Sequence, residues 1–501
     1  MLHDQVTSPT SRSSDRRADR ATALSATLAT ALAAGLAISF LGEKGFWLDE
    51  ALSVQRASSD WSGLWRDVTT TQANMGLYYV LLHGWIGLGD SEFVVRLLSA
   101  LFAIATVPVV YGLTRRCFGG RAALAASLLL ALNSFFISYA QEARGYSLAI
   151  LLSAIAMWRF AIAVERPSPG AWAAWVVAGS ISMYAHLFCA LVLLAQMVSV
   201  AFLHRVRVPW RGLIAASAAI AAAVSPLLWF VLFRDVGQID WVPAPRAIDL
   251  YYLFAVFAGG GWALPILSGL AIVVAAALAI GRRDAADEGF DRWRMALMLC
   301  WLLVPALVAY AVSFAKPVFQ PRFLIVSLVP LVMLVAAGLA RIRSRAAFAG
   351  VLALAAVLAG QSVRAWYDAP DKQWWRAAVH HVAAGARPGD AVTFFVYSGR
   401  VPFEYYLRET GAAAGLTLVD IASEEFVAGN RQPEPSRARL QAVTREHGRI
   451  WLVRLQDGTP PGHPLRRFEQ GRVIESELIA CCHLVRETPF PGGIRIQLYE
   501  R

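Results

Sequence analysis

Apolar residues run along this chain in blocks of about 20, separated by short turns that carry most of the charge. A block of that length matches about 30 Å of hydrocarbon at 1.5 Å rise per residue, and backbone groups in lipid must be satisfied internally, so each block is expected to be a helix. The blocks fall near 22–41, 92–114, 121–139, 146–164, 171–186, 187–203, 212–233, 262–281, 295–314, 323–340 and 346–363, about eleven spans. The pair 171–186 and 187–203 meets with hardly any loop, and 77–89 is apolar but short, the pattern of a segment in or re-entering the interface.

After Arg364 the pattern changes. Residues 371–501 carry charge, Pro and Gly turns, and alternating helix-like and strand-like stretches. Residues 373–386 read as an amphipathic helix, and 391–396 and 450–455 as strands. The expected organisation is a disordered N-terminus over 1–20, a membrane domain over 21–365 with long loops at 42–91 and 234–261, and a small α/β domain over 366–501.

Composition sharpens this picture. The chain is 57% hydrophobic and 16% charged, with a mean hydropathy of +0.50, against about 25% charged in a soluble domain. The net charge of +11 raises nucleic acid as a partner, but the arginines sit in clusters between apolar blocks, which is the pattern of topology signals. With a cytoplasmic N-terminus, Arg115, Arg116 and Arg121, then Arg166, then Arg205, Arg207 and Arg211, then Arg282, Arg283, Arg292 and Arg294, then Arg341, Arg343 and Arg345 all fall on one side. The C-terminal region then lies outside. No small-residue cleavage site follows the first block, so it reads as an uncleaved helix. The five cysteines show no metal-ligand spacing and read as small hydrophobes; adjacent Cys481 and Cys482 are poorly placed to bond to each other.

The candidate chemistry gathers on the outer face of that topology. The first long loop opens Phe46-Trp47-Leu48-Asp49-Glu50, with two carboxylates suited to act as a general base, a metal ligand or an acceptor for sugar hydroxyls, or simply to favour a helix N-terminus. Tyr139-Ala140-Gln141-Glu142-Ala143-Arg144-Gly145-Tyr146 packs a Glu, an Arg and two Tyr into one tight turn; the Arg fork fits phosphate oxygens, and a salt-bridged interfacial turn is the plainer alternative. Lys316 and Arg322 are cations on the side that should lack them, matching either a bound anionic phosphate or side chains snorkelling to the interface. His186 lies at the outer end of a span, and Asp240 with Trp241 forms an acid–aromatic pair in the second long loop.

These pieces resemble the integral-membrane C-type glycosyltransferases, in particular the branch related to protein O-mannosyltransferases and bacterial aminoarabinose transferases. The resemblance covers roughly 40–345 and rests on Trp47-Leu48-Asp49-Glu50, Gly76-Leu77-Tyr78-Tyr79-Val80-Leu81-Leu82-His83, Asp90-Ser91-Glu92-Phe93-Val94-Val95-Arg96-Leu97, the 139–146 turn and Pro321-Arg322-Phe323. Lys372-Gln373-Trp374-Trp375-Arg376 looks like the start of the tail found in many such bacterial proteins. Asn74-Met75-Gly76 stands where many relatives carry a His-Pro-Pro-like stretch.

The resemblance implies a mainly α, GT-C-type fold in a plasma (inner) membrane. It also implies transfer of a sugar, with inversion, from a polyprenyl-phosphate donor to a glycan, lipid or protein acceptor. Asp49 is then the base, with Glu50 its neighbour or substitute; Arg144, Lys316 and Arg322 hold the donor phosphate; Glu142, Tyr146, His186 and Tyr78 shape the sugar or acceptor site. Asp49 and Glu50 are also where Mg²⁺ or Mn²⁺ would bind if a metal is used. No nucleotide fingerprint is visible, as befits a lipid-linked donor. A lipid-sugar transporter or flippase is the main rival, but the spans are nearly charge-free, whereas transporters place ionisable groups near the midplane. A receptor or scaffold would leave the outer cation–carboxylate set unexplained.

Overall fold

The computed structural model describes residues 9–70, 73–203, 208–233, 242–281, 288–395, 397–411, 415–421, 436–455 and 467–501. Each of the eleven apolar blocks contains helix. Four helices, Glu92–Phe118, Tyr146–Glu165, Phe290–Val312 and Arg345–Asp368, are long and apolar enough to cross a membrane alone. The apolar pair Gly120–Ala131 and Ser134–Ala140, bent by 59°, is long enough together to form a broken span or a re-entrant loop. The bend has a local cause: Asn133 ends one helix and caps the next, its Oδ1 accepting from Phe136 N–H at 2.9 Å. Shorter apolar helices, among them Ala23–Ile38, Cys189–Phe202, Trp210–Ala223 and Ile325–Leu339, supply the rest of a multi-pass membrane protein. The first helix starts at Pro9, so residues 9–20 are helical where their polar composition suggests disorder; after Pro9 nothing up to Ile38 except Gly35 breaks a helix.

The chain divides into two compact units. The first comprises Met1–Ser39, Leu97–Pro226 and Ala244–Asp368. All twelve residues of its Leu328–Leu339 helix are buried. Gly338 permits this packing, since a Cβ there would lie 1.9 Å from the Ala271 carbonyl oxygen. Large apolar side chains such as Val177, Ile214, Leu270 and Leu354 point outward, the surface a bilayer covers. At one end, Glu165 accepts from both Arg116 and Arg294, and Arg121 donates to the Ile342 carbonyl at 2.8 Å. Parts of four of the arginine-bearing turns that alternate along the sequence, at Arg116 and Arg121, Glu165, Arg294 and Ile342, are therefore linked in space. Tyr146 and Glu165 bound one 20-residue helix, so the 139–146 turn lies at the opposite end, roughly 30 Å away.

The second unit comprises Phe40–Arg96, Leu227–Pro243 and Ala369–Arg501. The first long loop, assigned from sequence to the membrane domain, thus packs with the C-terminal residues. It folds as three helices, Leu48–Ala57, Trp61–Thr70 and Gly76–Trp85, the last covering the short apolar segment near 77–89. The C-terminal residues form a five-stranded sheet of β1 (Asp390–Phe395), β2 (Leu416–Val419), β3 (Arg449–Leu455), β4 (His483–Phe490) and β5 (Ile494–Glu500). The order is β2-β1-β3-β5-β4, with β1 parallel to β2 and β3, and β5 antiparallel to β3 and β4. β1 is buried throughout and β4, at the edge, is mostly exposed. The expected helix at 373–386 is Trp375–Gly385, and the expected strands at 391–396 and 450–455 are β1 and β3.

Candidate functional site

In the first unit, two sequence-distant segments converge on His186. The 139–146 turn is tight: Arg144 N–H donates to the Glu142 carbonyl at 2.7 Å, and Ser147 Oγ closes it on the Tyr139 carbonyl at 2.9 Å. Tyr146, the first residue of its helix, stacks edge-on to Tyr139 with ring centroids 4.9 Å apart and lies 5.7 Å from the His186 ring. Phe323 faces His186 from 6.3 Å, and the neighbouring Arg322 guanidinium lies 5.4 Å from the Phe323 ring. Arg144 and Arg322 both act electrostatically on His186.

His186 is 1% exposed and terminates the Pro169–Ala185 helix in an extended conformation. Its Nδ1 accepts from Phe188 N–H at 3.2 Å. Nδ1 therefore carries the lone pair, and Nε2 carries the proton of the neutral ring. Nε2 is buried and meets no hydrogen-bond partner among the described residues. A buried unmatched donor is costly and invites an explanation; with the charges of Arg144 and Arg322 acting on the ring, an anionic or hydroxyl oxygen of a ligand supplies one. Glu142 is buried in the same turn, Arg144 and Arg322 are half-buried, and Lys316 is exposed near the start of the loop that ends at Arg322.

In the second unit, Asp49 and Glu50 occupy the first turn of the Leu48–Ala57 helix and differ sharply. Glu50 is 1% exposed, and its two oxygens accept from Arg96 Nε at 2.8 Å and Nη2 at 2.7 Å. The remaining Arg96 donors go to the carbonyls of Leu41, Lys44 and Gly45. Glu50 is engaged as one half of a buried ion pair that fixes the loop, whereas Asp49 is half-buried, at the helix end where a carboxylate is favoured. Tyr78 is fully buried on the Gly76–Trp85 helix, its ring 6.1 Å from Tyr79.

The carboxylate pair does not make a cation site, because Glu50 faces Arg96; among the described residues no three His, Cys, Asp or Glu side chains gather as ligands. Asp240 and Trp241 lie outside the described residues. Glu92, Arg96 and Gln373 were quoted only inside motifs, with no role of their own, and Tyr406 was not singled out by sequence reasoning. For Arg96 a signal existed: it is a cation in the first turns of a span, on the side that should lack one.

Residues 77–230 match the family model described as dolichyl-phosphate-mannose-protein mannosyltransferase. The matched segment includes Tyr78, Glu142, Arg144, Tyr146 and His186. No curated protein matches the chain by sequence. Among solved structures, the chain is similar to apo ArnT from Cupriavidus metallidurans, at 13% identity and a TM-score of 0.63, over 94% of this chain and 97% of that one. The same protein bound to undecaprenyl phosphate matches at 14% identity and a TM-score of 0.62, with the same coverage. The oligosaccharyltransferase AglB from Archaeoglobus fulgidus, in complex with an inhibitory peptide and a dolichol-phosphate, matches at 12% identity and a TM-score of 0.51, over 87% of this chain and 69% of that one. The chain thus shares the fold of ArnT, the mainly α, multi-span fold with a small C-terminal sheet expected from the sequence, and the family model matches the part of the motif set that lies within 77–230.

Proposed function

We propose that this chain is a membrane glycosyltransferase that takes a sugar from a polyprenyl-phosphate carrier and passes it, with inversion, to an acceptor at the extracytoplasmic face of a plasma (inner) membrane. The observation that carries the reading is the buried, unmatched Nε2–H of His186 in an aromatic setting under the influence of Arg144 and Arg322. Two guanidinium groups and an N–H donor suit a sugar phosphate. The matched family segment, and the lipid phosphates bound by the similar proteins, support the same chemistry.

In this reading the acceptor hydroxyl attacks the anomeric carbon and the bond from that carbon to the phosphate oxygen breaks. Polyprenyl phosphate leaves with the electron pair, its charge met by Arg144 and Arg322, with Lys316 available at the same loop. The proton of the acceptor hydroxyl passes to Asp49. A single displacement inverts the anomeric centre. Glu142, Tyr146, His186 and Tyr78 are assigned to the sugar and acceptor. The arginine-bearing turns that meet around Glu165 would face the cytoplasm, as would the N-terminus.

The test incubates purified protein with a panel of polyprenyl-phosphate sugars and an acceptor extract, following release of the carrier phosphate. Turnover of one donor, lost in folded Asp49→Asn and Arg322→Ala, is the expected result. Movement of a prenyl-linked sugar across liposomes without transfer would replace this reading with a flippase.

A further inference from the structure

At the start of the Leu48–Ala57 helix the Glu50 carboxylate reaches back to Trp47 N–H at 3.4 Å, while the N-cap side chain itself makes no cap. Trp47 stands at the N-cap position, and an indole offers no acceptor for first-turn amides. Leu48 N–H donates instead to Gln373 Oε1, 325 residues along the chain, at 2.8 Å. Gly45 N–H donates to Asp371 Oδ2 at 2.8 Å, and Phe46 N–H to the Tyr406 hydroxyl at 2.6 Å. Three amides between Gly45 and Leu48 thus end on side chains of the C-terminal region.

These acceptors are themselves fixed. Gln373 is buried, and its Oε1 also accepts from Trp375 Nε1 at 2.8 Å. The Tyr406 hydroxyl donates to Glu92 at 3.0 Å, and Arg376 pairs with the same carboxylate. From behind, the β4–β5 turn presses on Gln373: Trp374 N–H donates to the Pro491 carbonyl at 3.2 Å, and at Gly492 (φ +85°) a Cβ would lie 2.5 Å from Gln373 Cα. Only glycine fits both that φ and that approach.

We propose that residues 371–373, with Tyr406, form a brace through which the C-terminal region sets the first turn of the helix bearing Asp49, and so aims that carboxylate. The consequence for rate rests on the proposed glycosyl transfer; the brace itself does not. Gln373 is a positioning residue, since it holds a helix amide rather than a reactant.

The test compares full-length wild type, Gln373→Ala and Gln373→Glu in detergent. Glutamate keeps an acceptor for both Leu48 N–H and Trp375 Nε1, and alanine removes it. Amide hydrogen exchange over residues 45–52 is read beside kcat and KM for the polyprenyl-phosphate sugar that the wild type consumes. In Gln373→Ala, exchange over this stretch is expected to rise roughly three- to tenfold. Its kcat is expected to fall about tenfold or more, as misplaced catalytic groups do, with donor KM within about twofold of wild type. Gln373→Glu should recover both. Unchanged exchange in Gln373→Ala overturns the brace; raised exchange with unchanged kcat overturns its role in aiming Asp49. If Gln373→Ala does not fold, Tyr406→Phe carries the same test, because it keeps the ring and removes the Phe46 acceptor. If the wild type consumes no donor, the proposed function falls, while the exchange measurement still decides whether the brace exists.

Discussion

Arg96 holds Glu50 in a two-point ion pair, Nε to Oε1 and Nη2 to Oε2, at 2.8 and 2.7 Å, with both side chains nearly sealed from solvent. Its other donors reach three carbonyls of the loop at residues 41–45. One guanidinium therefore fixes the carboxylate and the backbone that leads into it. The adjacent Asp49, which the pair leaves half-buried, is the carboxylate assigned to chemistry.

Substitution should separate these two neighbours. Glu50→Ala leaves a buried guanidinium without its counter-charge and should cost about 3–5 kcal/mol of stability. Asp49→Asn keeps the size of the side chain and removes a charge that favours the helix end by about 0.3–1 kcal/mol, and should melt closer to wild type than Glu50→Ala while losing turnover. Thermal unfolding in detergent beside donor consumption checks both. A Glu50→Ala protein that melts like wild type but is inactive would move the base from Asp49 to Glu50.

The helices were legible because a 20-residue apolar run has one solution in lipid, whereas 121–139 was read as one span and its break at Asn133, where the side chain caps the next helix, came only with the structure. Arg144, His186 and Arg322 stood out because polar groups are rare in such sequence. Arg96 and Gln373, quoted only inside motifs, and Tyr406 were given no role for another reason: their partners lie 46, 325 and 360 residues away, and nothing local announces a side chain that pairs with so distant a group. The same distances hid the grouping of the first long loop with the C-terminal sheet. Glu50 and Asp49 looked alike in sequence because burial, which divides their roles, is a tertiary property.

Arg322 and Arg144 should act on the donor phosphate. A hydrogen bond to a charged group contributes about 1.5–3 kcal/mol, so Arg322→Ala should weaken donor binding roughly 10- to 100-fold. Arg322→Lys should recover only part, because a point charge replaces a planar fork. Binding of polyprenyl phosphate alone, without sugar, measures this directly. Equal affinity in Arg322→Ala and wild type would remove Arg322 from the phosphate site.

The C-terminal sheet should lose stability in mild acid through His381. Its ring stands edge-on to Trp451 and Phe490, with Nε2 and Thr488 Oγ1 hydrogen-bonded at 3.2 Å. Burial first, then the charge of Arg486, holds its pKa below the usual 6.5. The unfolded chain therefore takes the proton more readily than the folded one. The stabilisation is complete above about pH 6.5 and is lost as pH falls through that value toward the lowered folded one. His381→Gln should flatten the fall in melting temperature between about pH 7.5 and pH 5. An unchanged pH profile in that variant would assign the acid sensitivity to other groups.

His186 offers the sharpest separation of stability from function. Its Nε2–H is buried without a partner among the described residues, while its ring packs between Tyr146, Phe188 and Phe323. His186→Phe keeps the aromatic packing and removes the unmatched donor. A structural histidine would lose stability on this change, because Phe188 N–H loses its acceptor. A ligand-binding histidine gains back the desolvation cost of Nε2, of about 1–3 kcal/mol, which offsets a cost of similar size at the Phe188 N–H left without its acceptor. The melting temperature is then expected to stay level or rise while donor KM or kcat worsens by roughly tenfold or more. Paired melting and kinetic measurements on this one variant decide the matter: a lower melting temperature with unchanged kinetics would make His186 part of the scaffold and take away the observation on which the phosphate site rests.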